Sequence, residues 1–140
     1  MKIKKIYSKK NKKKLIHMIF RKNSKNTKSR ENISPEKQFL QVANLNLNKN
    51  DTFKAHKHIW KKPLYKKKIA QESWVVIEGK VKVYYYDTDG VFITSTIINR
   101  GDLSISFEGG HNYKALTNKT YVYEFKTGPY EGVKLDKVFI

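Results

Sequence analysis

The sequence predicts an all-β protein, a sandwich or a barrel, on three observations. About eight short segments rich in β-branched and aromatic residues follow one another closely. Turn signals separate them, such as Asp89-Gly90 between two of these segments. No segment has the length and the 3.6-residue periodicity of a long helix. Because 140 residues are one domain's worth of chain, the strands are expected to share one core.

The elements follow in order along the chain. Residues 1–14 form a Lys-rich arm, and Leu15–Phe20 is predicted as an edge strand because Lys residues flank it. Ser34-Pro35-Glu36 suits the start of a helical turn, since Ser caps helices and Pro fits the first position. The remaining predicted strands are Phe39–Leu47, Thr52–Ile59, Ser73–Ile77, Val81–Tyr86, Val91–Ile98, Leu103–Phe107, Tyr113–Leu116 and Tyr121–Lys126.

The formal net charge is +18, and 13 of the 30 Lys and Arg residues lie in residues 1–30, which hold no acidic residue. Such a segment can bind nucleic acid or anionic lipid through phosphates. The alternative is that these Lys residues are simply solvated. The scarcity of Arg favours the alternative, because specific base recognition prefers Arg.

Several classes of protein are excluded or disfavoured. The absence of Cys excludes disulfides, thiolate zinc sites, iron–sulfur clusters and a Cys nucleophile. No apolar run approaches the ~20 residues of a membrane helix, and Leu15–Phe20 is too short for a signal peptide. We therefore expect a cytoplasmic protein without a membrane span. Neither a Gly-rich phosphate loop nor a Gly-x-Ser-x-Gly elbow is present.

Three histidines and one carboxylate form a candidate metal site. His56 and His58 lie two residues apart on a predicted strand, so both imidazoles point to the same face. Glu72 lies on the next strand, and His111 follows a Gly-Gly bend at the start of a late strand. These ligand types suit one divalent first-row metal, that is iron, manganese, nickel, cobalt or zinc.

The order and spacing of these residues resemble the two motifs of the cupin superfamily. His56-Lys57-His58 is similar to the His-x-His pair of the first motif, and six residues separate Glu72 from Gly79 as that motif requires. Gly101-Asp102 resembles the start of the second motif, and His111 resembles its late histidine. The resemblance covers about residues 50–125. It departs from the family in the 13 residues between His58 and Glu72, and in a second motif that lacks its Pro and Asn.

The resemblance implies a fold and a ligand set. The fold would be a cupin-type β-barrel, also called a double-stranded β-helix or jelly roll. It would occupy residues 31–140, with residues 1–30 as a basic arm that forms an edge or swapped strand. A homodimer is implied as well. The implied metal ligands are His56, His58, Glu72 and His111.

The function implied is a small metalloprotein that binds one divalent metal and a small polar organic ligand. The resemblance favours a sugar or nucleotide-sugar of bacterial surface polysaccharide biosynthesis. The reaction stays open among metal-dependent oxygenases, isomerases or epimerases, and lyases, because a fold does not determine a reaction. The Lys-rich residues 57–68 are predicted to border the pocket mouth, where they can meet a phosphate.

Neighbouring aromatic residues are candidates for ligand binding. If Glu72 faces inward, the two-residue period of a strand places Trp74 and Val76 on the inward face as well. If His111 faces inward, the same period places Tyr113 on the inward face. We predict Trp74 and Tyr113 as substrate-binding residues, with plain core packing as the equal alternative.

Two other functions remain open. The first is a non-catalytic protein that binds a ligand, or that binds nucleic acid through residues 1–30. The second is a metal-free sugar epimerase or isomerase in which His56 or His111 works with a nearby carboxylate. His17 lies outside the candidate site and is predicted to be a strand or surface residue.

Overall fold

The computed structural model describes residues 3–22, 29–60, 62 and 69–140. Within these ranges the chain forms ten strands and one helical turn. They are β1 (Ile3–Tyr7), β2 (Leu15–Phe20), β3 (Arg30–Asn32), β4 (Ala43–Leu45), β5 (Glu72–Glu78), β6 (Lys80–Tyr86), β7 (Phe92–Asn99), β8 (Leu103–Ser106), β9 (Gly110–Ala115), β10 (Tyr121–Lys126) and α1 (Val133–Asp136). Because α1 has only four residues, no helix in the described ranges is long enough to cross a bilayer.

The strands form three antiparallel sheets. A five-stranded sheet has the order β1-β2-β8-β5-β10, a three-stranded sheet has the order β7-β6-β9, and β3 pairs with β4 alone. The predicted all-β class is confirmed. The sheets in the described part of the chain remain separate and do not close into a barrel.

The two larger sheets pack face to face around the main core. On β6, Val81, Val83 and Tyr85 are buried and alternate with less buried residues, as a strand with one inward face requires. They meet Ile19 of β2 and Val76 of β5 across the interface. This core therefore joins early and late parts of the chain.

A second core covers the other face of the five-stranded sheet. Met18 and Phe20 of β2 and Ile105 of β8 pack there against Ile33 and the residues that follow it. Five of the six residues of β2 are buried, so this strand is central in its sheet. The prediction of an edge strand at Leu15–Phe20 is therefore wrong, because a strand that is apolar on both faces is covered on both faces.

The basic first residues of the chain contribute two strands to the main sheet. β1 is the edge strand of the five-stranded sheet, and β2 is hydrogen-bonded to β8. Ile3–Tyr7 and Leu15–Phe20 thus belong to the same sheet as β5 and β10.

Most of the predicted strands after residue 70 are found near their predicted bounds, whereas the region before it differs. The strand predicted at Phe39–Leu47 shortens to β4. The strand predicted at Thr52–Ile59 is wrong, because residues 46–60 are exposed and contain no strand. The apolar residues of this segment are too few to cover a sheet face, and no strand in the described part of the chain pairs with it. Ser34 does not cap a helix, because its hydroxyl accepts a hydrogen bond from the Val42 N–H at 2.8 Å.

One fully buried side chain, His17 of β2, connects the two larger sheets. Its Nε2 lies 3.0 Å from the Tyr86 carbonyl oxygen of β6, and its Nδ1 lies 3.0 Å from the Ser106 hydroxyl of β8. A carbonyl only accepts, so Nε2 carries the proton and Nδ1 accepts from Ser106. The prediction of a strand residue is confirmed, and the surface alternative is wrong.

Burial lowers the pKa of His17 from its ordinary 6.5 to about 4. The hydrogen bond to Tyr86 and the charge of Asp87 raise this pKa, while the charge of His111 lowers it, and burial outweighs the rest. His17 is therefore neutral in the folded protein at neutral pH.

The protein should lose stability in mild acid because of His17. The unfolded chain takes up the proton below pH 6.5 and the folded protein only near pH 4, so the loss develops between these values. We expect the free energy of unfolding to fall by about 2 kcal/mol from pH 7.5 to pH 5, measured by urea denaturation.

The control for this experiment is His17→Gln, whose amide can donate to the Tyr86 carbonyl but does not titrate. This variant should lose most of the pH difference, whereas Ser106→Ala should keep it. An undiminished pH difference in His17→Gln would assign the effect to another group.

Candidate functional site

The site lies where β5 and β9 face each other across the two larger sheets. Glu72 is the first residue of β5, and His111 is the second residue of β9. Glu72 Oε1 lies 3.1 Å from His111 Nε2. Two residues that are 39 positions apart thus form a direct hydrogen bond in a largely buried setting.

Gly109 supplies the bend that brings His111 to this place. Its φ is +77°, a conformation that favours glycine. A Cβ at Gly109 would lie 2.5 Å from the Tyr86 carbonyl oxygen and 3.1 Å from His17 Nε2. No side chain fits between Gly109 and the Tyr86 carbonyl that His17 contacts, so this bend requires glycine. The predicted Gly-Gly bend before His111 is confirmed.

The charge state of Glu72 follows from its neighbours. Burial alone would raise the pKa of Glu72, but the hydrogen bond and charge of His111, with the charges of Lys137 and Lys126, hold it below its ordinary value. Glu72 is therefore a carboxylate at neutral pH, and His111 Nε2 donates the proton to it. The other ring nitrogen, His111 Nδ1, is buried and has no hydrogen-bond partner among the described residues.

Trp74 and Tyr113 stack on each other beside this pair. Their ring centroids are 4.0 Å apart and their planes differ by 4°. Trp74 Nε1 donates to Glu124 Oε2 at 3.0 Å, and the Tyr113 hydroxyl lies 3.3 Å from the Ser104 hydroxyl. Burial raises the pKa of Tyr113. Trp74 lies two residues after Glu72 and Tyr113 two residues after His111, and the two rings meet between the sheets. Each ring covers one face of the other, and their binding of a substrate stays a prediction.

An open cleft of about 800 Å³ lies next to the Glu72–His111 pair. Its lining combines charged side chains and His111 with the exposed apolar side chains of the last residues of the chain. The charged side chains are Glu72, Asp87, Glu108, Lys126, Lys134, Asp136 and Lys137, and the apolar ones include Leu135, Val138, Phe139 and Ile140. Trp74 and Tyr113 are not among the residues that line this cleft.

The structure does not bring His56 and His58 to the pair. Both lie in the exposed residues 46–60. Their ring centroids are 5.5 Å apart, and His56 Nδ1 bonds the carbonyl of Lys54 at 2.8 Å. In the described ranges, no three His, Asp or Glu side chains converge as a metal site would require.

Lys126 and Asp136 are site residues that the sequence reasoning missed. Lys126 pairs in register with Glu72, and it shares a strand face with Glu124 two residues earlier. The sequence contains that spacing but does not reveal which face of β10 points inward. Asp136 lies after the last strand, and no pattern in the sequence predicts that it belongs to the site. Most of the Lys-rich residues 57–68 lie outside the described residues.

Comparison with known proteins found no matching family model, no matching curated protein and no matching solved structure.

Gly109→Ala should destabilise the protein by about 2 kcal/mol or more. The added methyl group combines an unfavourable φ with displacement of the Tyr86 carbonyl, to which His17 donates. Urea denaturation measures the change in the free energy of unfolding.

The matched control is Gly90→Ala. Gly90 also has a positive φ, of +84°, but a Cβ there meets only the Ile140 side chain, at an ordinary contact distance of 3.5 Å. This variant should cost only the backbone strain, about 1 kcal/mol. Equal losses in the two variants would show that the contact with Tyr86 is not important.

Proposed function

We propose that this chain is a small cupin-like metalloprotein that binds one divalent transition metal and a small polar organic ligand. The observation that carries the proposal is the Glu72–His111 contact, 3.1 Å between carboxylate oxygen and imidazole nitrogen, at the edge of an open cleft. These two residues are half of the ligand set that the sequence resemblance implies. The facing antiparallel sheets support a jelly-roll arrangement as part of this proposal.

The residues at the contact fit a metal in kind and spacing. Imidazole nitrogen and carboxylate oxygen are common ligands of first-row divalent metals. Each binds at about 2.1 Å, so neighbouring ligand atoms stand about 3 Å apart. When bound, the metal would supply Lewis-acid character or, as iron, oxygen activation. Glu72 is already deprotonated, as a carboxylate ligand must be.

His56 and His58 would complete the ligand set by a change in their exposed segment. Thirteen residues lie between His58 and Glu72. At about 3.5 Å per extended residue they can span roughly 45 Å, so the chain length permits both imidazoles to reach Glu72. Ligand bonds would compensate the entropy lost when residues 46–60 are held at the site.

The cleft supports a small organic molecule as the second ligand. Its volume of about 800 Å³ falls within the range of small-molecule sites, and its mixture of apolar surface with charged side chains suits a polar organic ligand. A sugar or nucleotide-sugar remains our proposed substrate class, on the resemblance alone.

A second candidate function is a metal-free epimerase or isomerase. The Glu72–His111 hydrogen bond favours it, because a carboxylate that orients an imidazole is a common acid–base arrangement. This function needs Glu72 and His111 but neither His56 nor His58.

The partner proposals concern a second copy and nucleic acid. A homodimer rests on the resemblance. For nucleic acid, Lys4 and Lys5 are exposed on the edge strand β1. Of the two aromatic residues in residues 1–30, Tyr7 is exposed but Phe20 is buried, so the described part of this segment offers no row of rings for stacking bases.

Metal content tests the first function. Untagged protein purified without chelator should contain about one iron, manganese, nickel, cobalt or zinc per chain by elemental analysis. His58→Ala and Glu72→Gln should each lose most of it, because each removes a ligand. Lys57→Ala and Glu78→Gln are the matched controls, the first between the two histidines and the second exposed on β5. Full metal content in both ligand variants would reject this site.

Deuterium incorporation separates the second function from the first. A metal-free epimerase exchanges a sugar C–H with solvent, so nucleotide-linked sugars should gain deuterium in D₂O, as seen by NMR. We expect His56→Ala/His58→Ala to retain this exchange and Glu72→Gln to lose it if the acid–base function holds. Loss in both variants would favour the metal site.

A further inference from the structure

Lys126 places a cation in the same cleft as Glu72 and His111. It is the last residue of β10 and pairs in register with Glu72. Its side chain is only 18% exposed, and its Nζ lies 3.0 Å from Asp136 Oδ2. Both Lys126 and Asp136 line the cleft. The mostly buried side chain of Lys126 thus has a carboxylate partner inside a cleft that is open to ligands.

The segment that supplies this carboxylate is held to the sheet by few contacts. Leu135, Val138 and Phe139 are more than three-quarters exposed, whereas the Asp136 side chain is 9% exposed and also lies 3.7 Å from Lys137 Nζ. Other contacts are those of Ile140 beside Gly90 and Gly110. Since few apolar contacts hold these residues, the Lys126–Asp136 pair is a principal attachment of the segment to the sheet.

We propose that Lys126 is the residue of this cleft that binds the carboxylate group of a small organic ligand. The Asp136 carboxylate occupies the same position beside Lys126 when the ligand is absent. This inference rests on the proposed function only in taking the cleft as the ligand site. A ligand carboxylate offers Lys126 the same charge-assisted hydrogen bond as Asp136 does. The Asp136 carboxylate would move into solvent with its exposed segment.

The surrounding charges favour a carboxylate over a phosphate. Among the described residues, the lining of the cleft holds four acidic side chains, Glu72, Asp87, Glu108 and Asp136, and three lysines, Lys126, Lys134 and Lys137. Because the acidic groups outnumber the lysines, a dianion would meet more net repulsion than a monoanion. The hydrogen bond to Asp136 raises the pKa of Lys126, so the ammonium stays charged at neutral pH.

Acetate tests this position without knowledge of the rest of the ligand. Binding is measured by NMR titration of the full chain at constant ionic strength, with acetamide as the uncharged probe of the same shape. Asp136 belongs to the same chain as Lys126, so it competes with acetate at an effective concentration of about millimolar or more. Asp136→Asn should therefore bind acetate at least tenfold more tightly than the wild-type protein. The matched control Glu131→Gln, an exposed carboxylate in the same segment, should behave as wild type.

Lys126→Met/Asp136→Asn completes the test, because Met keeps most of the aliphatic side chain without the charge. This double variant should lose the acetate response, and acetamide should give none in any variant. Equal acetate affinity in wild type, Asp136→Asn and the double variant would overturn the proposal. Tighter binding of inorganic phosphate than of acetate by Asp136→Asn would overturn the carboxylate assignment.

Measuring the metal content of the variants distinguishes this proposal from the proposed metal function. Neither Lys126 nor Asp136 belongs to the proposed ligand set, so both variants should hold the metal of the wild-type protein. Acetate that binds to a metal at Glu72 and His111 would still bind after Lys126→Met, which would count against the position proposed here. Loss of acetate binding with unchanged metal supports it.

Discussion

The hydrogen bonds of His17 between the two sheets are the constraint on which the rest of the structure depends. One ring nitrogen donates to a carbonyl of β6 and the other accepts from a hydroxyl of β8. Both hydrogen bonds are buried away from water, where an imidazole without partners would cost free energy of folding. The same carbonyl, that of Tyr86, faces Gly109, so the bend before β9 has to form without a side chain. The position of His111 follows from this bend.

The candidate site is a consequence of how the sheets face each other. Glu72 comes from the five-stranded sheet and His111 from the three-stranded sheet, and only their packing brings oxygen and nitrogen within 3.1 Å. The stacked Trp74 and Tyr113 bridge the same two sheets beside them. Burial and opposite charge act against each other on Glu72, and charge prevails, which keeps the site anionic beside the cations Lys126 and Lys137. A cleft with such paired charges is suited to a polar ligand.

Prediction from the sequence succeeded where turn residues bound a strand and failed where the packing of other elements decides the position of a segment. β6 alternates clearly, and β5, β6 and β10 end at turn residues, so their approximate bounds could be read from the sequence. The shared face of Glu72 and Trp74 follows from the two-residue period of a strand. Leu15–Phe20 was assigned to an edge because Lys residues flank it, although its apolar residues on both faces indicate a central strand. The segment containing His56 and His58 resembled a strand, yet no neighbouring strand pairs with it in the described structure.

The sequence by itself determined the all-β class, the strands after residue 70 and the residue types of the candidate site. These depend on local alternation and on turn chemistry, which a short window of residues contains. The tertiary structure alone decided which of these residues meet. It buried His17, joined Glu72 to His111, left His56 and His58 exposed, and placed Asp136 on Lys126. Contacts between residues far apart in sequence depend on how whole sheets pack, and no local pattern specifies that packing.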